Sequence, residues 1–245
     1  VNFYKAIEQR QANTGCWFLN SEQFSRWKID TSSFLWLYGI PGCGKTILSS
    51  TILQTLLDLR QQDIGNAVAY FYFDFTNPRK QSSELMVSSL ISQLSEQSIK
   101  PPTALEALFA SYGKGGETHP PLHATLEVLR EMILAFPQTY FVLDALDECA
   151  NRKSLLATLG SIVAWKIETL HLLMTSRKEK DIADSLERFV DYNATICLQS
   201  ELVDPDIQTY VHRRLSDDQA LKKWRKDDII RKEIENTISK GSHGM

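Results

Sequence analysis

Gly39-Ile-Pro-Gly-Cys-Gly-Lys45-Thr46 is the stretch that decides the fold. It satisfies GxxxxGK[ST] in full, a match that carries meaning only between a strand and a helix. Both flanks are present. Upstream, Phe34-Leu-Trp-Leu-Tyr38 reads as a buried strand. Downstream, Leu48, Ile52, Thr55, Leu56 and Leu59 recur at helical spacing, so a helix is predicted from Lys45 to about Arg60. Glycines let the backbone curl until several amide N–H groups face one point, and the helix amino end adds its positive dipole there. That suits a triphosphate. The cradle is predicted from Gly39, Ile40, Pro41, Gly42, Cys43, Gly44, Lys45, Thr46 and Ile47. Lys45 is expected to reach the β and γ phosphates, and Thr46 to offer its hydroxyl to Mg²⁺. The loop supports binding with turnover and binding without it.

Outward from the loop, short apolar runs alternate with helical patterns. Ala67 to Phe73, Tyr140-Phe-Val-Leu143, Leu170 to Met174 and Ala194 to Leu198 read as further strands. Helices are predicted around Leu90, Ile91 and Leu94, then Leu122 to Ile133, Leu155 to Ile162, and Ile182 to Phe189. Pro101-Pro102 ends one of these segments, and Ser111 to Pro121 is the clearest loop. Such alternation predicts an α/β fold: a five-stranded parallel sheet core covered by helices on both faces. After about residue 200 the strands stop. Asp204-Pro205 reads as a helix start, with Ile207, Val211 and Leu215 on its apolar face. A last helix carries Ile230, Ile234 and Ile238 and ends at Gly241.

The third strand delivers Asp144, Asp147 and Glu148 at its carboxyl end, the edge where a doubly wound sheet binds ligands. Asp144 is the expected Mg²⁺ partner, through water. Asp147 and Glu148 are candidates to orient or deprotonate an attacking water, although either can equally cap the helix that follows. The fourth strand ends in Thr175-Ser176-Arg177. An Arg there can tell a triphosphate from a diphosphate by charge-assisted hydrogen bonds, or stand solvated beside Lys178 and Lys180.

Composition narrows the remaining classes. The 245 residues carry 27 Lys plus Arg against 30 Asp plus Glu, a net charge of −3, with 43% hydrophobic and 23% charged residues. These are globular values and exclude a disordered or fibrous chain. The slightly acidic balance argues against a nucleic-acid partner. No apolar run approaches the roughly 18 residues of a membrane span. The start at Val1 shows no signal-peptide pattern and is expected of a fragment. Cys16, Cys43, Cys149 and Cys197 are scattered, with no CxxC pair or His at ligand spacing. That points away from disulfides or zinc and towards a reducing, cytoplasmic compartment.

The loop GIPGCGKT, the acidic signature FVLDALDE (141–148) and LLMTSR (172–177) together resemble the NACHT class of STAND ATPases, the switch module of NOD-like receptors. Cys16-Trp-Phe-Leu ahead of the loop and Ala69-Tyr-Phe-Tyr-Phe-Asp74 after it resemble fungal members. The small residue Ala145 and the acids three and four places after Asp144 are the most specific part. The resemblance implies a P-loop NTPase switch that is closed with ADP and open with ATP, hydrolyses slowly and self-assembles when open. In fungi such proteins control programmed cell death, heterokaryon incompatibility and defence. It also implies an N-terminal effector domain and C-terminal sensor repeats in the parent protein. The family's winged-helix segment, whose His holds the β phosphate of ADP, is expected beyond Gly244-Met245, and His243 is in the wrong place to substitute.

The chain is therefore divided into a lead-in segment (1–30), a nucleotide-binding core (31–200) and the start of a helical subdomain (201–245). Trp17 is weighed as a base contact or as core, Cys43 as a redox target or a bystander. His119, His123 and the run Lys222, Lys223, Arg225, Lys226 read as solvated. No NKxD-like guanine motif is found, so ATP/ADP leads over GTP. A nucleotide-locked scaffold and a P-loop kinase are the rival readings.

Overall fold

The computed structural model describes residues 2–10, 14–99, 103–112, 120–198 and 200–217, together with 230, 233, 234 and 237. Five strands form one sheet: β1 (Ser33–Tyr38), β2 (Ala67–Tyr72), β3 (Thr139–Asp144), β4 (Leu170–Ser176) and β5 (Thr195–Cys197). All pair in parallel, in the order β2-β3-β4-β1-β5. The expected α/β P-loop architecture is present. β4 separates β1, which feeds the phosphate loop, from β3, which ends in Asp144. Register aligns their ends, with Tyr38 opposite Ser176 and Leu143 opposite Met174. The segments leaving β1, β3 and β4 therefore emerge together at the carboxyl edge.

Successive strand side chains face opposite sides, and both sides are buried. Leu35, Leu37, Val142 and Leu173 face one core, closed by Phe3, Phe18, Phe24 and Ile52. These come from α1 (Asn2–Gln9), α2 (Cys16–Leu19), α3 (Glu22–Ile29) and α4 (Lys45–Gln62). Trp36, Phe141, Leu172 and Met174 face the other core, with Leu90, Leu105, Leu129, Leu159 and Leu186. Those lie on α5 (Ser83–Gln97), α6 (Thr103–Tyr112), α7 (Leu122–Leu134), α8 (Arg152–Ala164) and α9 (Lys180–Leu186). Burying each such side chain is worth about 1.5–3 kcal/mol. Side-chain caps start several helices: Ser21 accepts from Phe24 N, Ser82 from Leu85 N and Asn151 from Ser154 N.

Three local expectations need correction. Helix α10 (Ser200–Asp217) begins before Asp204, and Pro205 lies inside it. Near a helix start a proline forfeits one backbone bond at most, so the turn tolerates it. Ser111 and Tyr112, expected to open a loop, belong to α6 instead. Phe189 falls beyond α9, although its ring still packs on Phe34 at 6.1 Å. Pro101-Pro102, His119, the basic run at 222–226, Ile238, Gly241 and His243 lie outside the described residues.

Candidate functional site

The phosphate loop leaves β1 at Gly39, whose N–H donates to Ser176 O at 3.3 Å, so it starts beside the end of β4. Ile40, Pro41 and Gly42 are exposed, whereas Cys43 is buried. Gly44 caps α4 from a left-handed conformation (φ 87°) and offers no side-chain cap. The first-turn amides of α4 therefore have no side chain competing for them, the condition under which a helix start binds an anion. Lys45 Nζ donates to the carbonyls of Gly39 and Ile40, each at 2.8 Å, and lies 3.7 Å from Cys43 Sγ.

Asp144 organises the floor. It is 2% exposed. Its Oδ2 accepts from Thr46 Oγ1 at 2.8 Å, and its Oδ1 from Ser49 Oγ and Thr175 Oγ1, each at 2.7 Å. Thr175 Oγ1 in turn accepts the Ala145 N–H at 2.9 Å. Burial pushes the Asp144 carboxyl above its ordinary pKa, while the three hydroxyls and the Lys45 charge pull the other way. The Thr46 proton is committed to Asp144, which leaves the threonine lone pairs for a cation. A hydroxyl and a carboxylate are hard oxygen donors and fit Mg²⁺, which keeps most of its shell for water and phosphate. Among the described residues no group of three or more His, Cys, Asp or Glu forms an alternative metal site.

The other acids behave differently from one another. Asp147 accepts the Arg177 backbone N–H at 2.9 Å and pairs with its Nε at 3.0 Å. Glu148 accepts the Phe75 N–H at 3.2 Å. Burial raises the Glu148 pKa, the Phe75 N–H opposes this, and the charges of Asp147, Asp74 and Asp144 add to the rise. Asp147, Glu148 and Arg177 share a 300 Å³ hollow with Phe75 and Gln81. The sequence-predicted residues therefore fall into two hydrogen-bonded groups: Thr46 with Asp144, and Asp147 with Arg177.

A 660 Å³ cleft opens beside the loop, lined by Gly42, Gly44, Ile47, Trp17, Asp206 and Tyr210 among others. Trp17 is thus both a cleft wall and half-buried, its ring 5.6 Å from that of Phe18. His123 is exposed on α7. Sequence reading missed Ser49, Thr175 and Asp206. Ser49 had a signal: Ser49-Ser50-Thr51 is a polar run, fully buried, inside a helix otherwise packed by leucine and isoleucine. Asp206 had none, because its partner is 191 residues away.

The family model described as Nephrocystin 3, N-terminal matches residues 13–177. The vegetative incompatibility protein HET-E-1 of Podospora anserina is 24% identical over 237 residues, covering 94% of this chain and 17% of that protein. The chain therefore spans only a minor part of that relative's length. Among solved structures, Drosophila ORC bound to DNA is similar at a TM-score of 0.47 and 16% identity, over 89% of this chain and 52% of that one. The Walker-type ATPase of Pyrococcus abyssi gives a TM-score of 0.47 and 13% identity, over 88% and 60%. At these values the fold rests on the sheet order and the loop themselves. With a GxxxxGKT loop seated on a five-stranded parallel sheet and a family match over most of its length, the chain belongs to the nephrocystin 3 N-terminal family and is a NACHT-type module of P-loop NTPase fold.

Proposed function

We propose that this module is a nucleotide-controlled switch that binds ATP or ADP with Mg²⁺ and hydrolyses ATP slowly. The observation that carries the reading is the Thr46–Asp144 hydrogen bond at the foot of the phosphate loop. Loop amides and the start of α4 would hold the phosphates, with Lys45 exchanging the Gly39 and Ile40 carbonyls for phosphate oxygens. Thr46 and Asp144 would hold Mg²⁺, which when bound supplies positive charge against the phosphates. Arg177, held by Asp147, would sense the terminal phosphate. Glu148 is the better candidate to orient water, since its raised pKa suits a proton acceptor and Asp147 is engaged by Arg177. The absence of an NKxD-like motif from the sequence favours adenine over guanine nucleotides.

In the longer parent protein the switch would control self-assembly in a cytoplasmic defence or cell-death response, between an effector domain and sensor repeats. The support is the likeness to a vegetative incompatibility protein. No helix among the described residues is long and apolar enough to cross a membrane. The test is to denature the purified protein and identify released nucleotide by chromatography, with Lys45→Ala in parallel. Near-stoichiometric ADP in the wild type and none in the variant is expected. ADP retained at full affinity by Lys45→Ala would overturn the site. A bound nucleotide that is never turned over would favour a locked scaffold.

A further inference from the structure

The sheet has two outer strands, and they are unlike. β5 is three residues long, too short to template another chain. β2 is six residues long, and the run Ala67-Val-Ala-Tyr-Phe-Tyr-Phe73 holds no charge, proline or glycine. A run of that composition with an open edge pairs readily with a copy of itself. Ala67 and Phe73 turn their N–H groups towards β3, donating to Gln138 O at 2.8 Å and Asp144 O at 3.0 Å. Alternation along the strand then turns the N–H and C=O of Val68 and Tyr70 outwards.

Side chains of α5 take those outward groups. Tyr70 N–H donates to Gln93 Oε1 at 3.1 Å, and Tyr70 O accepts from Gln93 Nε2 at 2.8 Å. Val68 N–H donates to Gln97 Oε1 at 3.0 Å, and Val68 O accepts from Gln97 Nε2 at 2.8 Å. Each carboxamide presents one acceptor and one donor, as a peptide group does. The spacing lets the match repeat, since four residues of helix rise about 6 Å and two residues of strand about 6.6 Å. Leu90, Ile91 and Leu94 hold α5 on the core. Both amides are also tied back to the helix, Gln93 Nε2 to Ser89 O at 3.2 Å and Gln97 Nε2 to Gln93 O at 2.8 Å.

We propose that Gln93 and Gln97 act as a surrogate sixth strand, an inhibitory contact that keeps β2 from pairing with β2 of a second copy of this chain. A second copy is the partner excluded because identical apolar, uncharged runs match side chain for side chain when they pair. Two strands, β3 and β4, separate this edge from β1, and the inference is independent of the nucleotide reading.

The test combines amide hydrogen exchange with light scattering over a range of concentrations. Replacing both residues, Gln93→Ala with Gln97→Ala, should speed exchange at Val68 and Tyr70 by about tenfold and leave Ala69 unchanged. The same variant should form dimers or larger species as concentration rises, while the wild type stays monomeric. Gln93→Lys with Gln97→Lys breaks the same bonds but sets charge on the edge, and should exchange fast yet remain monomeric. If the double alanine variant fails to fold, the single variants carry the test: Gln97→Ala should expose only Val68, and Gln93→Ala only Tyr70. Loss of that selectivity, or wild-type exchange at both amides, would overturn the inference. Fast exchange without association would overturn it too, since the helix itself and not its glutamines would then close the edge. Equal association of the lysine and alanine variants would place the contact elsewhere. Adding Lys45→Ala should leave the association unchanged; if it vanishes, it belongs to nucleotide-driven assembly instead.

Discussion

Asp147 holds Arg177 at two points, accepting its backbone N–H at 2.9 Å and its Nε at 3.0 Å. The Asp147 side chain is 5% exposed and that of Arg177 is 47% exposed, so the acid is anchored and the guanidinium reaches solvent. A carboxylate engaged in this way is better placed to aim an arginine than to take a proton from water. Asp147→Asn keeps an acceptor for the backbone N–H and should reduce phosphate release modestly. Glu148→Gln should reduce it by about 100-fold, the usual weight of a general base. Both should bind ADP normally. Equal losses in the two variants would return Asp147 to the water-activating role.

Asp144 makes stability depend on pH. Burial raises its pKa above the ordinary value of 3.8. The folded state thus holds the proton more tightly than the unfolded chain does. This contribution to stability is fully present below the ordinary value and is lost as pH rises through the raised folded value. Without Mg²⁺, Asp144→Asn should melt above the wild type at pH 7, with the gap closing towards pH 4. Asp144→Ala strands the hydroxyls of Thr46 and Thr175, while Ser49 keeps the Thr46 carbonyl as an acceptor, and should cost about 1–3 kcal/mol. Parallel pH profiles for the wild type and the asparagine variant would contradict the argument.

Ala145 occupies a left-handed conformation, φ 59° and ψ 53°, between Asp144 and the short 3-10 turn at Leu146–Glu148. A side chain costs about 1–2 kcal/mol there, and more when β-branched. Ala145→Gly should therefore raise the melting temperature by a few degrees, and Ala145→Val should lower it by more. Thermal melts decide it. A valine variant as stable as the wild type would mean that the turn relaxes elsewhere.

Gly39 is hemmed in. A Cβ there would lie 2.6 Å from Cys43 Sγ and 3.1 Å from Leu198 O. Gly39→Ala should cost about 1–3 kcal/mol. Adding Cys43→Ala should recover part of this, because the thiol can be removed but the Leu198 carbonyl cannot. Denaturant titration of the single and double variants measures the coupling, which should exceed about 0.5 kcal/mol. Simple additivity would mean that the thiol moves aside without strain.

What the sequence determined by itself was local and periodic. Eight residues, Gly39 to Thr46, specified the phosphate loop, because glycine conformations and a strand-to-helix switch are encoded within one short stretch. Apolar runs located all five strands, because a strand buried on both faces needs little but its own side chains to declare itself. Helices α1 to α3 were read only as a lead-in segment, since pieces of four to eight residues are set by packing on Leu35 and Leu37 rather than by propensity. The place of β4 between β1 and β3 belongs to the tertiary structure, and with it the use of Thr175 as a hydroxyl on Asp144. So do the division between Asp147, bound to Arg177, and Glu148, and the junction of Gly15 with Asp206. Each is a contact between residues far apart in the chain, and only closure of the fold, which repays the entropy of bringing them together, decides which partners meet.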